Sequence, residues 1–239
     1  MSKTKQRLRS IYHALRNGAQ PQMRDLVDRA GASRAAIFNE FYKENLWEGS
    51  VSRSGPGSTL EQTEAVRKEL PLLLQEFGIR SMLDAPCGDF YWMNATQIEI
   101  DSYVGGDIVK QLIEANQQQF ENAKRRFVCL DITRDRFDKV DLVLCRDCLV
   151  HFSYHDIQRV IRNFKNSDSS YLLTTTFTRL EANSDIPTGQ WRPVNLQRPP
   201  FNFPAPLRVI NERCTENDGQ YADKSLGLWD LRNLPDFEY

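Results

Sequence analysis

Four short apolar runs in the middle of the chain each end in acidic or charged side chains. Asp84 follows Ile79-Arg80-Ser81-Met82-Leu83, Asp107 follows Tyr103-Val104-Gly105-Gly106, and Asp131 follows Phe127-Val128-Cys129-Leu130. The Arg146-Asp147 pair follows Val140-Asp141-Leu142-Val143-Leu144-Cys145. An ionised carboxylate only accepts hydrogen bonds and can take two hydroxyls at once, so Asp107 at a strand end suits a ribose. Asp131 would offer an acceptor to an amino group such as that of adenine. His151 comes shortly after Asp147. Its imidazole titrates near neutrality and can accept a proton from a hydroxyl, with Asp147 orienting the ring or the substrate. Singly, such acids are also ordinary turn formers and helix caps, and His151 could cap the next helix. Their ordered repetition after successive apolar runs is what points to a site.

These groups meet only if the runs are neighbouring strands. Several are continuously apolar rather than alternating, as strands covered on both faces are. The intervening segments have helix length: about Val109 to Ala123, and about Tyr154 to Phe164. Strands joined by helices predict a parallel, doubly wound sheet, whose ligands sit beyond the carboxyl ends of the strands. Tyr171–Phe177 adds a fifth strand, and Ser225–Leu231 is expected as the last. Upstream, residues to about 50 read as helical, with breaks at Asn17-Gly18 and Ala30-Gly31. Ser50–Ser58 reads as a loop, and a helix is expected from Ser58, with Glu61 completing a capping box. The turn Ala85-Pro86-Cys87-Gly88-Asp89 lacks the three glycines of a pyrophosphate-binding G-x-G-x-x-G. It suits a ligand without phosphate, approached closely at Gly88.

Leu83-Asp84-Ala85-Pro86-Cys87-Gly88-Asp89 resembles the first motif of the class I S-adenosylmethionine-dependent methyltransferases. Tyr103–Ile108 resembles their ribose-binding strand and Phe127–Ile132 their adenine-binding strand. Asp141–Asp147 with Leu149-Val150-His151 resembles the fourth motif and its following turn. The likeness covers about residues 75 to 180. It implies a Rossmann-like α/β fold: a seven-stranded, mostly parallel sheet with an antiparallel last strand, here with an N-terminal helical extension. It also implies S-adenosyl-L-methionine as cofactor, with Asp84 and Gly88 at the methionine end, Asp107 at the ribose, and Asp131 with Ile132 at the adenine. Ala85, Cys87, Ile108, Arg146 and Trp47 complete the expected cofactor set. Asp89-Phe90 stands where a second glycine is usual, a departure that bears on the backbone path around the amino-acid tail. A subset of small bacterial methyltransferases has a similar Pro-Cys-Gly-Asp-Phe turn and an upstream element like Trp47–Ser58, expected here to fold over the cofactor as a lid.

Residues 1–58 are therefore read as a helical extension and lid-like loop, and 59–239 as the methyltransferase domain. Within the latter, 178–213 is an irregular, proline- and aromatic-rich insert that would cover the substrate. Phe177, Trp191, Arg192, Asn195, Phe201 and Phe203 mix flat apolar faces with hydrogen-bonding groups. That mixture suits a saccharide or other small molecule, O-methylated at a hydroxyl with His151 and Asp147 as the catalytic pair. The same aromatics could instead merely pack the insert onto the sheet.

The formal net charge of −1 on 239 residues gives the whole chain no electrostatic case for nucleic acid or an anionic membrane. No apolar run is long enough to span a bilayer, and the N-terminus lacks the apolar core of a secretory signal. Cys87, Cys129 and Cys145, in or beside strand-like runs, are expected to be buried and reduced, as in a cytoplasmic protein. Cys145, Cys148 and His151 fall short of the four ligands of a zinc site, so no metal is expected. Two competing readings remain. The basic first ~35 residues would favour an RNA or protein methyltransferase. Residues 23–38 resemble a helix-turn-helix of the tetracycline-repressor type, which would make the chain a DNA-binding regulator.

Overall fold

The computed structural model describes residues 33–237, so the breaks at residues 17–18 and 30–31 and most of the basic stretch lie outside them. The first helix, α1 (Arg34–Glu44), is capped by Ser33, whose Oγ accepts from the Ala36 N–H at 3.3 Å. It buries Phe38 and Phe41, and Phe38 packs on Phe152 at 5.7 Å between ring centroids. Of the helix-turn-helix candidate only residues 33–38 are described. There Arg34 pairs with Asp156 at 3.1 Å and Asp131 at 3.5 Å, so it is turned into the domain.

A 3-10 turn at Pro56–Ser58 precedes α2 (Glu64–Glu76). The capping box anticipated at Ser58 and Glu61 is not formed. Thr59 opens a turn instead, its Oγ1 accepting from the Gln62 N–H and its carbonyl from Thr63 Oγ1, which delays the helix to Glu64. Thereafter strands and helices alternate: β1 (Ser81–Asp84), α3 (Tyr91–Asn94), β2 (Ser102–Asp107), α4 (Lys110–Phe120), β3 (Arg125–Cys129), β4 (Leu142–Cys145). A 3-10 turn at Leu149–His151 leads into α5 (Tyr154–Asn166), followed by β5 (Tyr171–Phe177), β6 (Arg208–Asn211) and β7 (Lys224–Asp230). In α5 the buried Ile157, Val160, Ile161 and Phe164 recur at helical spacing and form its inner stripe.

The strands form one seven-stranded sheet in the order β3-β2-β1-β4-β5-β7-β6. Pairing is parallel from β3 through β5, and β7 runs antiparallel to both β5 and β6. This is the Rossmann-like sheet the resemblance implies. The chain reverses direction across the sheet between β1 and β4, so the carboxyl ends of those two strands flank the crevice where such folds take ligands. The core is densest there, with every residue of β4 buried. Residues 178–213 are irregular apart from β6, which sequence patterning does not reveal. It is a four-residue edge strand with only Ile210 buried, too short and too exposed to show a period. Cys129 departs from the expectation of burial: it ends the edge strand β3 and is exposed.

Candidate active site

A cavity of about 190 Å³ opens at the carboxyl ends of β1, β2 and β4. Asp84, Cys87, Gly88, Asp107, Ile108, Asp131, Ile132, Arg146 and Trp47 all line it, as do Asp147, His151, Phe177 and Trp191. Ala85 does not. It is fully buried behind the turn, its N–H donating to the Leu144 carbonyl at 2.9 Å. Arg192 and Asn195 are also absent from the wall. The Arg192 guanidinium donates to the carbonyls of Leu149, Phe152 and Ser184, and Asn195 Nδ2 donates to the Leu180 carbonyl. Both satisfy backbone carbonyls, those of Leu180 and Ser184 in the irregular insert and those of Leu149 and Phe152 in the turn before α5. Phe201 and Phe203 pack on Tyr154 and Trp229, so these aromatics hold the insert down.

Asp107 ends β2 with Oδ1 accepting from the Val109 N–H (2.9 Å) and Oδ2 from the Gly88 N–H (3.2 Å). Burial pushes its carboxyl up to about 6 despite these bonds. Each oxygen carries one side-chain-to-backbone bond in this geometry and keeps a further lone pair. Burial likewise pushes Asp84 up to about 7, although Tyr103 Oη donates to its Oδ2 at 2.6 Å. Asp131 is more heavily committed. Its Oδ1 accepts from the Thr133 N–H and Oγ1, and its Oδ2 pairs with Arg34 and Arg134. It thus ties α1 to the end of β3.

The Asp89-Phe90 departure has a structural account. Phe90 adopts the left-handed conformation (φ 59°) that glycine takes without strain. An aromatic cluster holds it there: Tyr103, Phe120 and Phe127 all lie 5.2 Å from its ring centroid, and the Arg125 guanidinium sits 4.6 Å over its face. Asp89 fastens the upstream loop. Its carboxylate accepts from Ser52 Oγ (3.0 Å), the Arg53 N–H (2.7 Å) and Ser54 Oγ (3.3 Å), while its own N–H donates to Ser54 Oγ (3.0 Å). A Cβ at Gly88 would stand 2.1 Å from Ser54 Oγ, so the loop approaches only because that residue is glycine. Ser54 to Ser58 then form one wall of the cavity. Asp89→Ala is expected to raise the KM for the cofactor about tenfold, one charged hydrogen bond in magnitude. It should also expose residues 50–58 to limited proteolysis; protection equal to wild type would count against the latch.

The other end of the cavity is built around a buried ion cluster that sequence reasoning missed. Arg146 donates to Glu212 Oε2 (2.6 Å) and the Gly57 carbonyl (2.9 Å), which joins β4 to the upstream loop. Lys224 Nζ donates to Asp147 Oδ2 at 2.6 Å and pairs with Glu212 at 3.4 Å. Burial opposes ionisation of Asp147, but Lys224 and Arg146 outweigh it and hold the carboxyl at about 2. His151 Nδ1 lies 3.0 Å from the Gln190 carbonyl. A carbonyl can only accept, so Nδ1 carries the proton and Nε2 keeps its lone pair. Burial lowers the imidazole to about 4. Phe177, Trp191 and Tyr221 complete this end with mutual edge-on contacts at 5.0–6.2 Å. Lys224, Glu212 and Tyr221 left no local signal, because β7 reaches the site only by pairing antiparallel with β5.

Residues 83–167 match the family model of a methyltransferase domain. That span runs from β1 to Ser167, the C-cap of α5, and contains the turn, the strand-end acids and His151. No curated protein matches over its sequence. Among solved structures, it is similar to an S-adenosylmethionine-dependent methyltransferase from Clostridium acetobutylicum, with 14% identity over 52% of this chain and 56% of that one (TM-score 0.42). The chain thus spans little more than half the length of that structure. Magnesium protoporphyrin IX methyltransferase from Synechocystis shares 14% identity over 62% of this chain and 74% of its own (TM-score 0.46). Human N-acetylserotonin methyltransferase shares 13% over 73% and 50% (TM-score 0.48). Among the described residues no helix is long and apolar enough to cross a membrane.

Proposed function

We propose that this chain is an S-adenosyl-L-methionine-dependent methyltransferase that O-methylates a hydroxyl of a saccharide or other small molecule, with His151 as the general base. The observation that carries the reading is His151 itself. It is a neutral imidazole on the cavity wall, with its tautomer fixed by the Gln190 carbonyl and its Nε2 lone pair unspent. A hydroxyl needs such a base as its oxygen becomes a nucleophile.

The residues along the other arm fit S-adenosyl-L-methionine. Asp107 retains acceptor capacity for two ribose hydroxyls, and Ile108, Leu130 and Ile132 offer an apolar berth for adenine beside Asp131. Asp84, its carboxyl raised by burial, would regain its charge beside the cofactor's ammonium group. When bound, the cofactor supplies a methyl group already activated on sulfonium. The protein then has to orient the acceptor, exclude water and take one proton. Trp47 and Ser54 cover the cofactor side, His151 Nε2 receives the hydroxyl proton, and the Asp147 carboxylate favours the imidazolium. The Pro86-Cys87-Gly88-Asp89-Phe90 turn and its Asp89-bound loop support membership of the small bacterial subset with that turn. Five cysteines without a disulfide suit a reducing cytoplasm.

The pH profile tests the base. Burial, Arg192 and Lys224 lower His151, while the Gln190 carbonyl and Asp147 oppose them. The imidazole therefore stays unprotonated until the pH falls to about 4. With cofactor saturating, kcat/KM for a hydroxyl acceptor is expected to hold through pH 6.5 and fail on the acid side near 4. An acid limb at the ordinary histidine value would contradict this environment.

A further inference from the structure

We infer that Asp147 and Lys224 form a recognition pair for two neighbouring hydroxyls on an uncharged ring, a vicinal diol of which one oxygen receives the methyl group. The inference rests on the hydroxyl-acceptor reading above and narrows it.

Lys224 is the first residue of β7, paired across the sheet with Phe177 at the end of β5, and it is buried while lining the cavity. A lysine in a central strand needs partners for its charge. Asp147 and Glu212 supply them, and they keep the ammonium charged against the cost of burial. Three donors on Nζ meet two carboxylates, so one N–H is left for a ligand oxygen. Asp147 is complementary. Both of its ion pairs, to Lys224 and Arg146, use Oδ2. Oδ1 accepts no hydrogen bond among the described residues, and 28% of the side chain is open where it lines the cavity. Its backbone is held in the left-handed region (φ 52°), with the N–H donating to Thr175 Oγ1 at 2.8 Å. For a residue other than glycine that conformation costs energy, and it sets the carboxylate at this spot.

The pair therefore offers one acceptor and one donor side by side. Two adjacent hydroxyls can satisfy both, one donating to Asp147 Oδ1 and its neighbour accepting from Lys224 Nζ. Charge selects against ionic acceptors. Arg146 and Lys224 are balanced by Asp147 and Glu212. An acceptor carrying phosphate or carboxylate would meet no spare cation among the described residues lining this end of the cavity. The Phe177, Trp191 and Tyr221 wall gives a ring an apolar face to lie on. A sugar ring and a catechol share this chemistry.

The test follows S-adenosylhomocysteine formation by the full chain. The acceptors are methyl glycosides with a vicinal diol, their monodeoxy counterparts, catechol and phenol, and a sugar phosphate. Diols are expected to be methylated with a KM about tenfold below their single-hydroxyl counterparts, the loss expected for one unmade hydrogen bond to a charged group. Glycosides and catechol distinguish the two sources of the diol. Lys224→Met should erase that advantage, raising KM for the diol about tenfold more than KM for the single-hydroxyl compound, so that the ratio of the two approaches one. Lys224→Arg, which keeps the charge, should restore part of the advantage. It also separates lost recognition from a damaged fold, which melting of both variants checks. Equal KM for diols and single-hydroxyl compounds, or preference for the sugar phosphate, would overturn the pair but leave the hydroxyl reading standing. Cofactor binding with no turnover of any hydroxyl compound would overturn both.

Discussion

Asp107→Ala is expected to weaken S-adenosyl-L-methionine binding at least a hundredfold, the largest single effect on the cofactor. The estimate follows from two hydrogen bonds to one carboxylate at about 1.5–3 kcal/mol each. The carboxylate also organises the protein side of the site, since it accepts from the N–H groups of Gly88 and Val109 and so links the first turn to the start of α4. Calorimetry with S-adenosyl-L-methionine measures the loss. Asp107→Asn serves as the partner variant: it keeps the shape but cannot accept from both N–H groups, and it should fall between alanine and wild type. Affinity unchanged in Asp107→Ala, with an unaltered melting curve, would remove Asp107 from the cofactor site.

His151→Ala is expected to lower kcat by about 10²–10⁴, the range of a lost general base, with cofactor affinity unaltered. The two effects separate because His151 lies at the acceptor end, among Asp147, Gln190 and Phe152, whereas Asp84, Gly88 and Asp107 line the other arm. His151→Gln keeps most of the volume and can still donate toward the Gln190 carbonyl, so it controls for collapse of the insert onto the cavity. Comparable losses in both variants, with equal cofactor Kd by calorimetry, identify the proton-accepting nitrogen as the missing element. Turnover near wild type in either variant would reduce His151 to a support for Gln190.

Arg192 and Asn195 show how residue type misleads in an irregular segment. Both have the hydrogen-bonding groups of a substrate contact. Yet residues 178–207 run without strand or helix, and their carbonyls, with those of Leu149 and Phe152, need donors once buried. The long polar side chains of the insert are drawn to that task. Asp131 was legible as a strand-end acid. Its engagement with Arg34 was not, since the partner comes from a helix almost a hundred residues earlier.

What the sequence by itself determined is the rim of strand-end acids. Continuously apolar runs, helix-length spacers and an acid at each strand end are local features. In a parallel sheet with short loops every strand end falls on the same rim, so Asp84, Asp107 and Asp147 had to converge. The end of the cavity with the buried ion cluster was decided only by tertiary structure. Lys224, Glu212 and Tyr221 arrive through the antiparallel return of β7 between β5 and β6, and a buried lysine is stable there only because Asp147 and Glu212 meet it. Such ion clusters have no periodicity and no fixed spacing. Their members are stabilised by partners from distant segments, so nothing in the neighbouring residues announces them.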